Sequence, residues 1–197
     1  MQYLKEDVKD KIIASALKEF SQKGFLGASI RDIAHNANVA TGNVYRYFEN
    51  KHDLFDFIIG PIYNKITDYI LDIVRVSDSS VNAICQINSI KDKLLEIFKL
   101  HSTEFLILMD KSQDTRYENT KEELILQTDN IIKSKLFDCL VEKGFKIRDE
   151  SMSYVLSSTL VEGICIILRN YEDVEKINFL VGQLIDILFD DIQNRLK

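Results

Sequence analysis

The chain has 197 residues, enough for a small module joined to a larger one, and its 46% hydrophobic and 28% charged residues exclude extensive disorder. One proline and seven glycines are too few for the many turns of a sheet protein, so an all-α fold is expected. The net charge of −6 taken alone argues against a nucleic-acid binder, but residues 1–55 hold 8 Lys and Arg against 7 Asp and Glu, so the acidity lies elsewhere in the chain.

The first residues, Met1 to Asp7, have no basic region followed by an apolar stretch, so no secretory signal is expected. Apolar runs such as Phe105 to Met109 and Ile164 to Leu168 are too short to span a bilayer, and no membrane partner is expected. Cys85, Cys139 and Cys165 are odd in number and set in apolar helical patterns, as free thiols in a reducing cytoplasm would be.

In chain order, Val8, Ile12, Ile13, Ala16, Leu17 and Phe20 follow helical spacing. This predicts a first helix over about 5–23, stopped at Gly24, where glycine is free to turn left-handed. Ser29 to Asp32 reads as a capping box for a short second helix that buries Ile33, Ala34 and Ala37. Asn38, which tolerates a left-handed turn, separates it from a third helix of about two turns through Phe48. Asn50 to Asp53 caps a fourth helix, which Gly60-Pro61 should kink on its way towards Val74.

Ser77 to Ser80 is the candidate loop before helices at about 83–100 and 102–111, and residues 113–119 form another loop. Thr120 caps a long helix that ends at Gly144, and two further helices are expected at about 150–170 and 174–195.

Three short helices with a tight turn between the second and third are how a helix-turn-helix presents a recognition helix to the major groove. The run Ser29-Ile30-Arg31-Asp32-Ile33-Ala34, then Ala37 to Phe48, then Asn50-Lys51 and Asp53-Leu54-Phe55, strongly resembles the signature of the TetR (tetracycline-repressor-like) family of transcription regulators. The likeness is dense over about residues 8–55, and beyond them only length and helix count agree. Asn38 stands where the family usually has glycine, and Ala40 where a capping serine is common.

The resemblance implies about nine helices. A helix-turn-helix DNA-binding domain would occupy residues 1–50, and a helical effector-binding and dimerisation domain residues 51–197. It implies a repressor that binds a palindromic double-stranded operator as a homodimer and is released by a small organic effector of unknown identity. The alternative is a DNA-binding regulator or architectural factor without a small-molecule effector.

Thr41, Asn43, Tyr45, Arg46 and Tyr47 offer hydroxyls, an amide and a guanidinium to base edges and phosphates. By similarity to the family, Tyr47 and Lys51 grip phosphates while Thr41, Asn43 and Arg46 read bases. Gly42 keeps the start of the third helix slim against DNA, and Ser29 and Arg31 add phosphate contacts.

One recognition helix covers too few base pairs, so a second copy is needed, with half-sites about 34–36 Å apart. The last two helices are apolar around more of their circumference than one core face requires, which predicts a four-helix seam between copies. Its expected members are Leu160, Gly163, Ile164, Ile167, Leu184 and Leu188, with Gly163 and Gly182 permitting close approach.

The middle helices are where the resemblance places an effector pocket, here walled by Phe98, Phe105, Met109 and Tyr117. His101, Gln127, Asn130, Tyr154, Ser158 and Glu162 interrupt helical apolar faces and are candidate anchors. Glu162 needs a partner on so apolar a helix, and Arg169 or solvent competes with a cationic ligand for that place. His35, His52 and His101 are isolated, with no metal-ligand spacing, phosphate-cradling glycine loop or nucleophile motif. No enzyme, cofactor or metal is expected.

Overall fold

The computed structural model describes residues 3–75, 83–142, 144–190 and 192–195. The loop expected at 77–80 and the side chain of Cys85 lie outside the described residues. The described residues are helical, with no strand among them. The helices are α1 Tyr3–Gly27, α2 Ile30–Asn36, α3 Thr41–Val44, α4 Lys51–Arg75, α5 Ala83–Asp110, α6 Thr120–Ile131, α7 Asp138–Glu142, α8 Met152–Asn170, α9 Val174–Phe189 and α10 Ile192–Arg195. A π-helical stretch, Ile132–Phe137, joins α6 to α7.

Contacts cluster into two compact units. The first holds residues 1–66 and 103–120, and the second 67–102 and 121–197. The helix-turn-helix residues therefore do not cluster alone: the first sixteen residues of α4 and the segment 103–120 go with them.

In the first unit, Ile12, Ala16 and Phe20 recur every four residues along α1 and are fully buried. Phe20, Phe25 and Phe55 meet edge-on or stacked, with centroids 4.9 to 6.3 Å apart, and Tyr117 joins them 6.2 Å from Phe55. Gly24 is left-handed (φ 69°) and breaks the regular helix where the sequence places its stop. That turn sends the Phe25 N–H to the Lys111 carbonyl at 2.9 Å, and the Lys111 ammonium in return donates to the Ser21 carbonyl. The loop after α5 is thus hydrogen-bonded to the end of α1 from both sides.

Gly60-Pro61 does not interrupt the fourth helix: α4 runs continuously from Lys51 to Arg75. Proline's fixed φ suits a helix, and the bond it cannot donate would go to the carbonyl of Phe57, an exposed residue that water can serve. Gly60 earns its place differently. A Cβ there would lie 3.2 Å from the Tyr117 hydroxyl, so the small residue lets the tyrosine bury against α4.

In the second unit α8 packs on α9, and Ile132, Leu136, Phe137, Leu140 and Ile192 form a buried cluster. The long helix predicted from Thr120 is interrupted by the π-helical stretch, in which the Asp138 N–H reaches back five residues to the Lys133 carbonyl. It ends as predicted at Gly144 (φ 85°), where Gly144 and Phe145 donate to Val141 and Leu140 in the paired bonds of a Schellman cap. The last helix is shorter than expected. Asp190 turns extended (φ −69°, ψ 131°), and α10 follows as a separate turn.

The break expected between helices near residue 101 is present as a non-helical His101 (φ −139°, ψ 29°) within α5. By length and composition α8 is apolar enough to cross a bilayer. It nevertheless carries Glu162 and Arg169, and Leu160, Val161, Ile164, Cys165 and Leu168 are buried in the second unit.

Candidate nucleic-acid interface

The helix-turn-helix is built by local chemistry that the sequence states openly. Ser29 is extended (φ −128°, ψ 133°), and its hydroxyl oxygen accepts from the Asp32 N–H at 3.2 Å, capping α2. Lys23 bridges Glu19 at 2.7 Å and Asp32 at 3.1 Å, tying the end of α1 to the start of α2. These two carboxylates hold the Lys23 pKa above its ordinary value.

At the other end of α2, Asn38 is left-handed (φ 55°). Its N–H bonds the His35 carbonyl at 3.0 Å and the Val39 N–H bonds that of Ala34 at 2.9 Å, which is the Schellman geometry again. Asparagine replaces glycine here at small cost because its short polar side chain tolerates this region. Ala40 then supplies the extended residue before α3 but no side-chain cap.

The recognition helix is shorter than two regular turns. The α-helical part is Thr41–Val44, after which Arg46 and Tyr47 bond three residues back and Phe48 four, to Val44. Val44 and Phe48 are buried and pin the element inward. Lys9 lies 4.1 Å above the Phe57 ring, which meets Phe48 edge-on at 5.4 Å, so the exit of the helix is walled by α1 and α4.

With its apolar side so fixed, α3 turns its polar side out. Gly42, Tyr45 and Arg46 are exposed, and Thr41, Asn43 and Tyr47 are half-buried. A Cβ on Gly42 would meet nothing within 4 Å, so the missing side chain serves no contact inside the protein. Arg31 is exposed on the first turn of α2, and Ser29 is half-buried at its cap.

Lys51 is placed differently from the other eight predicted contacts. Its ammonium donates to the carbonyls of Phe25 at 2.7 Å and Ala28 at 3.1 Å and lies 4.3 Å above the Phe25 ring. Burial pushes its pKa below the ordinary lysine value, against the opposing charge of Asp114. Just before it, Asn50 accepts from the Asp53 N–H at 3.0 Å and Asp53 accepts from the Glu49 N–H at 3.0 Å, and these bonds start α4.

The ten candidate effector residues are divided between the units. Phe105, Met109 and Tyr117 belong to the first, where all three are buried, and the Tyr117 hydroxyl accepts from Arg116 at 2.6 Å. Phe98, His101, Gln127, Asn130, Tyr154, Ser158 and Glu162 belong to the second. There Phe98 is buried and Gln127 and Asn130 are exposed on α6. Tyr154 donates to Glu122 at 3.3 Å.

Glu162 has the partner that the sequence made a ligand's competitor, Arg169 at 2.7 Å, and a second that it did not, Lys121 at 2.5 Å, and both hold its pKa below the ordinary value. Ser158 is the exception among the polar candidates, because its hydroxyl oxygen is buried without a hydrogen-bond partner. A cavity of about 380 Å³ lies elsewhere in this unit, between the π-helical stretch and the chain after Gly144, lined by Lys133, Phe137, Val141, Phe145 and Lys146 among others.

Of the expected dimer residues, Leu160 and Ile164 are buried within their own unit, while Gly163, Ile167, Leu184 and Leu188 are half-buried. Gly163 and Gly182 do permit close approach, but of groups in the same chain. A Cβ on Gly163 would fall 2.7 Å from the Leu184 side chain, and one on Gly182 would fall 3.0 Å from Lys91. The outward side of the pair carries Val155 (52% exposed) and Ile166 (50%) on α8 and Phe179 (62%) and Ile187 (64%) on α9.

Comparison with known proteins places this geometry. The sequence profile described as bacterial regulatory proteins of the tetR family matches residues 12–58. YttP of Bacillus subtilis, described as an HTH-type transcriptional regulator, is 24% identical over 146 residues, covering 74% of this chain and 69% of its own. IcaR of Staphylococcus epidermidis, the negative transcriptional regulator of the biofilm operon icaADBC, is 31% identical over 64 residues, 32% of this chain and only 35% of IcaR.

Among solved structures, a TetR-family transcriptional regulator from Bordetella parapertussis superposes with a TM-score of 0.68 at 17% identity, covering 96% of this chain and 98% of that one. FadR of Bacillus subtilis, solved in complex with stearoyl-CoA, gives a TM-score of 0.53 at 16% identity over 92% of this chain and 98% of its own. At such identities these two speak for the fold alone. The profile lies over the helix-turn-helix just described, so residues 12–58 match the DNA-binding segment of the tetR family of bacterial regulatory proteins.

Proposed function

We propose that the protein is a cytoplasmic transcriptional repressor that binds a palindromic operator as a homodimer and leaves it when a small organic effector binds. Residues 1–50 read DNA, and residues 51–197 sense the effector and dimerise. The observation that carries the reading is the two-sidedness of α3: Val44 and Phe48 are buried, while Tyr45 and Arg46 stand exposed. A helix pinned so firmly by one side and so polar on the other suits insertion into a groove.

Thr41, Asn43 and Arg46 are the base readers in this reading, and Ser29, Arg31, Tyr45 and Tyr47 hold phosphates. The dimer seam is the outer face of α8 and α9. Val155, Ile166, Phe179 and Ile187 supply the exposed apolar area, with Ile167, Leu184 and Leu188 behind them. Leu160 and Ile164 then support the seam from within.

For the effector, the unpartnered Ser158 hydroxyl is the best-supported anchor, because a buried polar atom without a partner costs about 1–3 kcal/mol that a ligand can recover. FadR was solved with a small organic ligand, which supports the same class here without naming it. Release requires the effector to favour the state with the wrong half-site spacing, since a ligand that binds both states equally shifts nothing.

The test is fluorescence anisotropy with duplex DNA from the region upstream of the protein's own coding sequence, at low ionic strength, followed by a compound panel. Saturable binding by a dimer, reversed by a compound that also raises the melting temperature, is the expected result. A monomer that ignores every duplex would end the reading. Binding that no stabilising compound reverses would instead support a regulator without an effector.

A further inference from the structure

The lysine that opens α4 holds the recognition helix in place from inside the protein, and this inference rests on the DNA-binding reading given above. We infer that Lys51 is a positioning residue, a clasp between the end of α1 and the start of α4, and that it makes no phosphate contact. Its ammonium has three protons. Two are given to the Phe25 and Ala28 carbonyls, at 2.7 and 3.1 Å, and the charge rests on the face of the Phe25 ring, 4.3 Å from its centre.

Those acceptors are carbonyls of the single turn that follows the break at Gly24, and the ammonium ties that turn to the start of α4. The ring beneath it cannot move aside. Phe25 packs against Phe20, Phe55 and His52, with centroids 4.5 to 6.3 Å away, and its own N–H is held by the Lys111 carbonyl. With two of its three protons given to carbonyls and its charge over the ring, the ammonium is held at the end of α1, and a phosphate that drew it away would leave those groups without their cation.

The consequence for DNA binding runs through three residues of chain. Phe48 ends the recognition element, Glu49 and Asn50 follow, and Lys51 begins α4. Fixing Lys51 to the end of α1 therefore fixes where α3 leaves the first unit, and with it the direction in which Tyr45 and Arg46 point. The Asn50 cap on the Asp53 N–H and the Asp53 bond to the Glu49 N–H set the helix start, while Lys51 sets where that start is anchored.

The two roles differ in salt dependence. Each phosphate neutralised by a cation contributes about 0.9 to the slope of log affinity against log salt concentration. Operator binding is therefore measured over a salt series for the full-length protein, Lys51→Met, Lys51→Arg and, as a control, Arg31→Met. Circular dichroism confirms that each variant is folded at the temperature used. Lys51→Met is expected to bind roughly tenfold more weakly with an unchanged slope, because orientation is lost and no phosphate contact is. Lys51→Arg keeps the charge but not the compact head group that fits between two carbonyls and a ring, so it too should weaken binding without changing the slope.

A slope reduced by about 0.9 in Lys51→Met, with Lys51→Arg behaving as the unaltered protein, would assign a phosphate contact and overturn the inference. A variant that melts earlier yet binds with the original affinity and slope would make the clasp merely structural, which also overturns it. Should Lys51→Met not fold, Lys51→Arg still decides, since full affinity with that substitution is incompatible with the clasp. Failure of the unaltered protein to bind any duplex is the separate result that removes the DNA-binding reading itself.

Discussion

The two ends of this chain answer to different constraints. In the helix-turn-helix the fold fixes both sides of a short element: Val44 and Phe48 are buried and Asn38 turns left-handed, while Tyr45 and Arg46 stay exposed. The helices α8 and α9 are fixed only by burial. Their inner positions pack, while their outer positions, Ile166, Phe179 and Ile187, are apolar with no covering in the single chain. The family profile stops at residue 58 and the match to IcaR spans 64 residues, whereas the match to YttP runs over 146.

The largest expected effect comes from breaking the second region alone. Phe179→Glu with Ile187→Glu alters two well-exposed positions, so the isolated chain should lose at most about 0.5 kcal/mol per site. Charges buried in the seam between copies would be prohibitive. The double variant should therefore be a folded monomer by analytical ultracentrifugation, and losing the linkage between half-sites should weaken operator binding by about a hundredfold or more. A dimer of unchanged stability would move the seam elsewhere.

Next in size is the polar side of α3. Arg46→Ala removes an exposed guanidinium and should leave thermal stability unaltered while weakening operator binding by about 1–3 kcal/mol if the group reads a base. The loss should be concentrated on one base position in a panel of operator variants. An equal loss on all sequences, with a shallower salt dependence, would make Arg46 a phosphate contact.

How much of this could be read beforehand differs between the regions for physical reasons. Burial of Ile33, Ala34, Val44 and Phe48 follows from spacing, and the turns at Gly24, Asn38 and Gly144 follow from which residues tolerate positive φ. The direction of a long flexible side chain follows from neither, which is why Lys51 could be placed on α4 but not aimed at the end of α1. Periodicity also cannot tell which unit a buried aromatic serves: Phe105 and Tyr117 cluster with the helix-turn-helix and Phe98 with the second unit. The π-helical stretch was invisible for the same reason, since Ile132, Leu136 and Phe137 are equally apolar with or without the extra residue in the turn.

Order in the second unit depends on a few polar locks, and Asp129 is one that can be removed. Its carboxylate is buried between Lys133 at 2.8 Å and the Ser153 hydroxyl. Burial raises its pKa, but the bonds from Lys133 and Ser153 together hold it below the ordinary 3.8. A depressed carboxyl stabilises the fold fully above its unfolded pKa, and the contribution disappears as pH falls through the folded value. Asp129→Asn should cost about 1–2 kcal/mol in urea unfolding at neutral pH. The difference should close below pH 3.8. Operator affinity of the folded variant should be unchanged, and a loss there would mean that the two regions are less separable than their contacts suggest.

The smallest effect is the most discriminating, because stability and binding should move in opposite directions. Gly42 lies in the first turn of α3 with open space where a Cβ would stand, so alanine introduces no clash within the protein. Alanine is also the better helix former by up to about 1 kcal/mol, and Gly42→Ala should raise the melting temperature slightly. Nothing inside the protein then accounts for a glycine at this position. If the vacant space is where the DNA backbone comes closest, the added methyl group should weaken operator binding several-fold despite the gain in stability. Equal or tighter binding would mean that α3 meets the groove by another edge, and the base-reading roles given to Thr41 and Asn43 would have to be reassigned with it.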